Sequence, residues 1–381
     1  MENNLLSRAE CNALRGLAII GIVLHNYCHW LRHIVRENEY QYFQRNVDGL
    51  VHAVGQPDAL LPIHLLSFFG HYGVPVFLFL SAYGLVMKYE RKQSGGSLSR
   101  YEVRGTGSED SHAAGDESEK SIPRTSHLVP RTSKYAFLRV HFLKLFKMMF
   151  VGYVAFTIVD AITPGSFHNH WALILAQLGM VNNLLPNPDD VIWPGPYWFF
   201  GLMLQLYAIY RLLLYRRHWG VTVGLMVVCT AAQMICGAES SELNYLRYNF
   251  VGGMLPFGLG LLYARYGKPL KSNLLLVCLL VSLCLTCVLS MSYYSWFFVP
   301  LFIIAGSVAL IKVLPASAYS WMEWVGSLSA ALFICHPITR KVFIPVSHRG
   351  DVYTGLLLYI LASIALAWLF RELMKRIPNP R

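Results

Sequence analysis

Long apolar runs recur along this chain, and they constrain its fold more than any other feature. Each run has roughly 18 to 25 residues, enough for a helix rising 1.5 Å per residue to cross about 30 Å of hydrocarbon. The runs at 273–291 and 293–312 are separated only by Ser292 and its neighbours, so nine spans remain an alternative to ten. The ten runs lie near residues 14–31, 65–88, 137–161, 197–215, 219–236, 249–266, 273–291, 293–312, 322–341 and 353–374.

The composition agrees with a membrane environment. Of the 381 residues 55% are hydrophobic and 14% are charged, whereas a soluble domain carries about 25% charged residues. We therefore predict an all-α fold class, a polytopic transmembrane helical bundle of about ten spans. Residues 1–381 would form a single integral membrane domain. No cleavage site of small residues follows the first run, so we expect this span to be retained.

Lys and Arg residues are distributed unevenly between the two predicted sides. With an inside N-terminus, only seven of the 32 fall on the outer side, and the other 25 lie inside or at inner helix ends. Cytoplasmic loops carry such an excess, so we predict that both termini are cytoplasmic. Anionic lipid or a cytoplasmic anion then accounts for the net charge of +11, and no nucleic acid partner is needed. The outer seven are Arg32, Arg36, Arg45, Arg247, Arg340, Lys341 and Arg349.

One long polar insertion interrupts the apolar pattern at residues 90–134. It is rich in Ser, Gly, Arg and acidic residues and repeats Pro-Arg-Thr-Ser at 123–126 and 130–133. This composition predicts a disordered cytoplasmic loop. The eight cysteines lie in or beside apolar runs and are interpreted as core residues. Cys284-x-x-Cys287 lacks nearby further ligands, so we expect no metal site.

Two predicted outer loops, 32–64 and 162–196, are rich in aromatic and polar residues. The first has several His residues, and the second contains Asn, Pro, Trp and His but no Lys or Arg. Such a surface suits a sugar or another neutral polyol. The alternative is that Trp and Tyr anchor the helices at the lipid headgroups.

The first run contains the clearest polar candidates. Arg15 stands at its inner end, and His25 follows about 15 Å further along a straight helix, with His29 one turn later. A histidine inside the membrane can act as a general base, and an arginine at the inner boundary can hold phosphate. The alternative is a histidine hydrogen-bonded to a neighbouring helix and an arginine that snorkels to the interface.

Other polar residues also fall inside or next to predicted spans. Any one of them is more often a packing residue than a catalytic one. A basic group near the start of the third span could meet an anionic ligand, with lipid phosphate as the competing partner. The span residues are Ser81, Tyr83, Gln205, Ser327, Ser329 and His336, and the basic group is Arg139, Lys144 and Lys147.

The order of these features resembles membrane acyltransferase family 3, whose members transfer acyl groups, usually acetyl from acetyl-CoA, to sugars of cell-surface glycans. The resemblance covers almost the whole chain outside 90–134. It rests on RGLAIIGIVLH at 15–25, FFGHYGVPVFLFLSAYGL at 68–85, PYWFFGLMLQLY at 196–207 and VGSLSAALFICHP at 325–337.

This resemblance implies an acyl-CoA donor that enters from the cytoplasm as a substrate, without a tightly bound cofactor. The carbohydrate acceptor is implied to lie nearer the outer face. By the same resemblance, His25 would be the general base that deprotonates the acceptor hydroxyl. Arg15, Arg139 and Lys144 would contact coenzyme A phosphates, with Lys147 a weaker addition. We expect a multi-pass protein of the bacterial inner membrane.

The sequence departs from the family pattern at three places. Nine residues separate Arg15 from His25, where the family has ten, so the two lie about 80° apart around a straight helix instead of about 20°. Asn26 occupies the position that strict counting gives to the histidine, and a helix bulge could restore the family geometry. Gln205 replaces a glutamate found in many members. His141 and Lys144 stand where an arginine pair is expected.

Two other functions stay open at this point. A transporter or glycan exporter could have a similar number of spans, although the two halves of the chain show no convincing similarity of the kind that transporters commonly have. A catalytically silent membrane partner of a glycan-assembly complex is the other alternative.

Overall fold

The computed structural model describes residues 5–91, 133–165 and 170–378. In these ranges the chain is helical and forms no β-strand, which confirms the all-α prediction. Residues 92–132 of the polar insertion lie outside the described ranges. The helices of the N-terminal half are α1 Arg8–Cys28, α2 Gln44–Gly55, α3 Leu61–Phe69, α4 Gly73–Tyr89, α5 Lys134–Ile162, α6 Trp171–Leu178, α7 Pro188–Val191 and α8 Trp198–Ile209.

Two irregular turns connect or extend these helices. A 3-10 turn at Gly70–Tyr72 joins α3 to α4, and a π-helical turn at Tyr210–Leu214 follows α8. The C-terminal half is also helical. The remaining helices are α9 Trp219–Ile235, α10 Ser241–Tyr248, α11 Phe250–Tyr266, α12 Ser272–Leu289, α13 Tyr293–Trp296, α14 Val299–Val313, α15 Ala316–Ser327, α16 Ser329–His348 and α17 Val352–Arg376.

In the described ranges, five helical segments are long and apolar enough to cross a membrane. Shorter apolar helices are Trp219–Ile235 and Val299–Val313. Each of the ten apolar runs coincides with helix, while the count of ten spans and the cytoplasmic termini stay predictions. The five segments are Leu61–Tyr89, Lys134–Ile162, Gly195–Leu214, Ser272–Leu289 and Val352–Arg376.

Helix α12 has a large exposed apolar surface. Its apolar side chains are largely exposed, among them Leu274, Leu280 and Leu283. The main packing partner of α12 in the described ranges is α14, and it leaves these side chains exposed. A broad apolar surface of this kind is stable against lipid and costly against water.

Helix α1 is central to the bundle, and glycines set how closely its neighbours approach. It packs against α3, α4, α15 and α16. A Cβ on Gly16 would overlap the carbonyl oxygen of Met322 on α15, and one on Gly326 would overlap that of Asn12. These glycines therefore let the α1 and α15 backbones touch.

The run at 322–341 differs from the single helix expected for it. The helical geometry breaks at Leu328, which ends α15 and starts α16. Leu328 is buried. The break turns α15 along α1, while α16 continues against α17 and α5.

Candidate active site

His25 lies near the end of α1 and is 2% exposed. Its Nδ1 is 2.7 Å from the carbonyl oxygen of Ser67. A carbonyl oxygen can only accept, so Nδ1 must carry the proton of the neutral ring, and Nε2 keeps its lone pair. The hydrogen bond thus selects the tautomer that a general base needs.

Two glycines bring the Ser67 carbonyl within reach of the histidine. A Cβ on Gly70 would lie 2.6 Å from the Gly21 oxygen and 2.7 Å from the Cβ of His25. The α3–α4 junction can therefore rest directly on α1 only because these positions lack side chains. This close approach holds the His25 ring in place.

Two carboxylates from the loop after α1 face the other ring nitrogen. Nε2 of His25 is 3.9 Å from Oε1 of Glu37 and 3.9 Å from Oε2 of Glu39. Neither distance is a hydrogen bond. Glu37 is hydrogen-bonded instead to His29, whose Nδ1 lies 3.0 Å from Oε1. The lone pair at Nε2 is therefore free to accept a proton from another group.

The two carboxylates differ in their protonation. Burial raises the pKa of Glu37, but the neighbouring His29 and His25 outweigh burial and hold this pKa well below its ordinary value. Burial, together with the charge of Glu37, raises the pKa of Glu39 to about 8. At neutral pH Glu37 is therefore charged and Glu39 is protonated. A single negative charge faces His25, and it would stabilise the imidazolium.

His25, Glu37 and Glu39 border a cavity of about 280 Å³. Both loops that were predicted to lie outside contribute to it: Glu37, Glu39 and Tyr40 come from the first, and Asp189 and Trp193 from the second. The remaining walls come from α1, the α3–α4 junction, α8, α10 and α16. The lining residues used below are Asn26, Trp30, His71, Trp198, Tyr248 and Arg340.

One wall of the cavity is aromatic. Tyr40 stacks on Tyr248 with ring centroids 3.9 Å apart, and Trp198 meets both rings edge-on. Asp189 accepts hydrogen bonds from the hydroxyl of Tyr248 and from Asn244 at 2.7 Å. A flat aromatic face beside a fixed carboxylate offers both apolar contact and hydrogen-bond acceptors to a polyol.

Arg340 of α16 forms part of another wall. Its side chain is buried, and Nη1 lies 3.4 Å from both the backbone oxygen and Oδ1 of Asn26. The guanidinium also stands 4.8 Å above the ring of Trp30. Among the described residues, no carboxylate lies within 4 Å of it.

The predicted phosphate-binding residues lie away from this cavity. Arg15 is about 15 Å from His25 along α1, is partly exposed, and donates to Asn12 at 3.0 Å. It is close enough to Tyr207 to interact electrostatically, and the Tyr207 ring lies 4.7 Å from that of His141. His141 in turn interacts with Lys144 and Lys88.

Arg15, Lys144 and Lys88 thus form one basic region. The other two predicted cations, Arg139 and Lys147, are placed differently. Lys144 and Lys88 are exposed, so their charges are open to a ligand. Arg139 is exposed on α5, about 140° around the helix from Lys144. Lys147 donates to the carbonyl oxygens of Met374 and Ile377 at the end of α17, where a cation stabilises the helix terminus.

The other polar candidates mostly serve packing. Gln205 donates to Asn249 at 2.7 Å and accepts from the backbone of Phe250 at 2.9 Å, which fastens α8 to the start of α11. The Tyr83 hydroxyl accepts from the backbone of Leu6. Nδ1 of His336 donates to Leu332 within its own helix.

Within the described ranges, one group of side chains could hold a metal ion. The ligand atoms of His25, His29 and Glu37 lie within 4.8 Å of one another. The sequence argument against a metal considered only cysteines and did not address this group. A cation there would take the Nε2 lone pair of His25. The described cysteines are all unpaired, and Cys284 and Cys287 are exposed on α12.

Comparison with known proteins identifies the family. A family model described as an acyltransferase domain matches residues 8–372, nearly the whole chain. The chain belongs to acyltransferase family 3. No curated protein and no solved structure gave a match. As a family 3 acyltransferase with several apolar helices, it is an integral membrane protein.

The structure shows how this family 3 member departs from the expected first-span geometry. Helix α1 is α-helical from Arg8 to Cys28 and contains no bulge, so Arg15 and His25 stay about 80° apart around its axis. The side chain that faces the carboxylates is that of His25. The side chain of Asn26 accepts a hydrogen bond from Arg340 instead.

Sequence reasoning missed several residues of the cavity that His25 lines. Glu37 and Glu39 were passed over, although an acidic pair directly after a span with a candidate base was a usable signal. His71 belongs to the motif at 68–85, but nothing in the sequence was a reason to assign it a role. Both of its ring nitrogens are buried without a hydrogen-bond partner in the described ranges. Arg340 had been counted only for orientation, and nothing local in the sequence marks it as a cavity residue.

Proposed function

We propose that this acyltransferase transfers an acetyl group from acetyl-CoA to a hydroxyl of a cell-surface carbohydrate, in a bacterial inner membrane. The observation that carries the proposal is the state of His25. Its Nδ1 proton is held by the Ser67 carbonyl, and Nε2 faces a cavity beside Glu37. A general base needs an available lone pair and a group that stabilises its protonated form, and His25 has both.

In the proposed reaction, the acceptor hydroxyl gives its proton to Nε2 of His25 as its oxygen attacks the thioester carbonyl. The new C–O bond forms, and the carbonyl electron pair moves to oxygen. The C–S bond then breaks, and the thiolate of coenzyme A takes the proton from His25. Glu37 stabilises the imidazolium between these two steps.

The donor would approach from the opposite end of α1. Arg15 and Lys144 lie in the same basic region there, and Arg139 is exposed at the start of α5. These cations would bind the nucleotide phosphates. The pantetheine arm would carry the thioester the roughly 15 Å from Arg15 to His25.

The carbohydrate acceptor is supported by the opposite walls of the cavity. Stacked Tyr40 and Tyr248 offer a flat apolar face, and Asp189 supplies an acceptor beside it. The second outer loop, which contributes Asp189, contains no Lys or Arg. This chemistry suits a neutral polyol better than an anionic acceptor.

The test is transfer of radiolabelled acetyl from acetyl-CoA to glycan by the purified protein in liposomes. We expect His25→Ala to lower kcat about 10²–10⁴-fold, the usual contribution of a general base, with an unchanged gel-filtration profile. His218→Ala is the matched control, because this exposed histidine caps α9 outside the cavity. Full activity of His25→Ala would remove the assigned role. Solute flux without coenzyme A binding or turnover would favour a transporter instead.

A further inference from the structure

Arg340 is a buried cation whose charge is poorly satisfied by the protein. It is 6% exposed, and burying a guanidinium away from water is costly unless it is paired and well hydrogen-bonded. Its two hydrogen bonds to Asn26 both run from Nη1 and measure 3.4 Å, long for an N–H···O bond. The Trp30 ring supplies only partial compensation.

Two partly buried cations of the same chain are each paired with a carboxylate. Arg265 forms two hydrogen bonds with Glu90, at 2.8 and 2.7 Å. Lys341, the neighbour of Arg340 in sequence, forms an ion pair with Asp160. Arg340 lines the cavity and, among the described residues, has no such carboxylate within 4 Å.

Arg340 lies in the same cavity as His25. Asn26, which it contacts, directly follows His25 on α1, and both side chains line the same cavity. The guanidinium is close enough to His25 to interact with it electrostatically. A thioester carbonyl attacked by a hydroxyl held at Nε2 would thus have a cation on the α16 side of the cavity.

The charges on the other walls decide which anion this cation would meet. Glu37 and Asp189 are carboxylates that line the same cavity, so an acceptor with a permanent negative charge would be repelled. An oxyanion is compact and forms only during the reaction. A preorganised donor is most effective when it faces charge that develops in the transition state.

We propose that Arg340 stabilises the oxyanion formed when the acceptor hydroxyl attacks the thioester carbonyl. This inference rests on the proposed function. The carbonyl electron pair moves onto oxygen as the C–O bond forms, and it returns when the C–S bond breaks. The guanidinium donates hydrogen bonds to that oxygen between the two steps and transfers no proton itself, since arginine stays charged in proteins.

Steady-state kinetics of Arg340→Met test this role. The purified protein in liposomes is given acetyl-CoA and either a neutral hexose oligosaccharide or its uronic acid counterpart. We expect kcat to fall about 10²–10³-fold, the loss typical of one oxyanion donor, while KM for acetyl-CoA stays within about threefold. Arg340→Lys should recover part of kcat because it keeps the charge. Arg349→Met, at the exposed end of the same helix, should match the wild type.

Each result decides between roles. Wild-type kcat in Arg340→Met overturns the inference, and so does a rise confined to the KM of the uronic acid acceptor, which would make Arg340 an anion-binding residue. If Arg340→Met fails to fold, Arg340→Gln retains a donor toward Asn26 and decides the question by the same measurements. Wild-type protein that transfers acetyl to neither acceptor overturns the proposed function together with this inference. An active wild type with unaffected Arg340 variants overturns the inference alone.

Discussion

The two ends of α1 hold their polar side chains in opposite ways. At one end His25 is 2% exposed, and Ser67, Glu37 and Glu39 surround its ring. At the other end Arg15 is partly exposed, and Lys144 is exposed with like charge nearby. The first arrangement positions a single ring within narrow limits. The second leaves cations that can adapt to a flexible anionic ligand.

The difference matters because the two ends would have different tasks. Chemistry at a thioester tolerates little displacement of the base, and a misplacement of about 1 Å can cost about 10²-fold in rate. Lysine binds phosphate as a point charge on a flexible stem, so phosphate binding by exposed cations tolerates more displacement. Changes at the His25 end should therefore affect kcat, and changes at the Arg15 end should affect the requirement for donor.

Within this comparison of the two ends, the largest expected effect comes from filling the contact that positions His25. Gly70→Ala would place a Cβ 2.7 Å from the Cβ of His25, so the α3–α4 junction must move away from α1. We expect kcat to fall about 10²-fold and the free energy of unfolding to drop by about 1–3 kcal/mol. Acetyl transfer and thermal unfolding in detergent measure the two quantities.

Gly84→Ala is the matched control for Gly70→Ala. Gly84 lies on α4, and its added Cβ would meet nothing within 4 Å. Its kcat should stay at the wild-type value. Unchanged activity in Gly70→Ala would mean that the His25 end of α1 does not need its close contact with the junction.

A smaller effect, in KM and not in kcat, is expected at the other end. Arg15→Ala should raise the KM for acetyl-CoA about tenfold, equivalent to roughly 1.4 kcal/mol of binding, because one phosphate contact is lost. Acetyl-pantetheine, which lacks the nucleotide, should be used equally well by variant and wild type. Lys271→Ala, an exposed cation on the same predicted side, provides the comparison. Equal KM values for acetyl-CoA would remove Arg15 from the donor site.

A third expected effect is on stability and not on activity, and it concerns the pH dependence of stability around Glu39. Its pKa of about 8 in the folded protein exceeds the ordinary value near 4.3. Between these values the folded state holds a proton that the unfolded state has lost, so rising pH destabilises the fold. We expect Glu39→Gln to gain thermal stability over the wild type from pH 5 to pH 8.5, by more than about 1 kcal/mol.

The exposed carboxylate of Glu239 serves as the reference for this measurement. Its side chain is 57% exposed and pairs with Arg45 at the surface. Glu239→Gln is measured over the same pH range as the control for a surface substitution. A stability difference between Glu39→Gln and the wild type that does not change with pH would show that Glu39 ionises normally in the folded protein.

Only part of the candidate site could be predicted from the sequence. His25 was identified because a histidine inside an apolar run is costly and therefore informative. Arg15 and Lys144 were both predicted to contact phosphates, and they lie near Tyr207 and His141, whose rings touch. Their contact with coenzyme A stays a prediction. Glu37 and Glu39 were missed because a carboxylate in a polar loop looks ordinary until the loop folds back onto a helix.

The amino-acid sequence by itself determined that this chain is an α-helical membrane protein of acyltransferase family 3, because apolar runs of span length and ordered motifs are local properties. Only the tertiary structure decided which side chains share the cavity. Arg340 and Asn26 are 314 positions apart, and Ser67 is 42 positions from His25. Such pairs depend on how α1, α15 and α16 pack and on glycines that allow backbone contact. No periodicity or local motif encodes that packing.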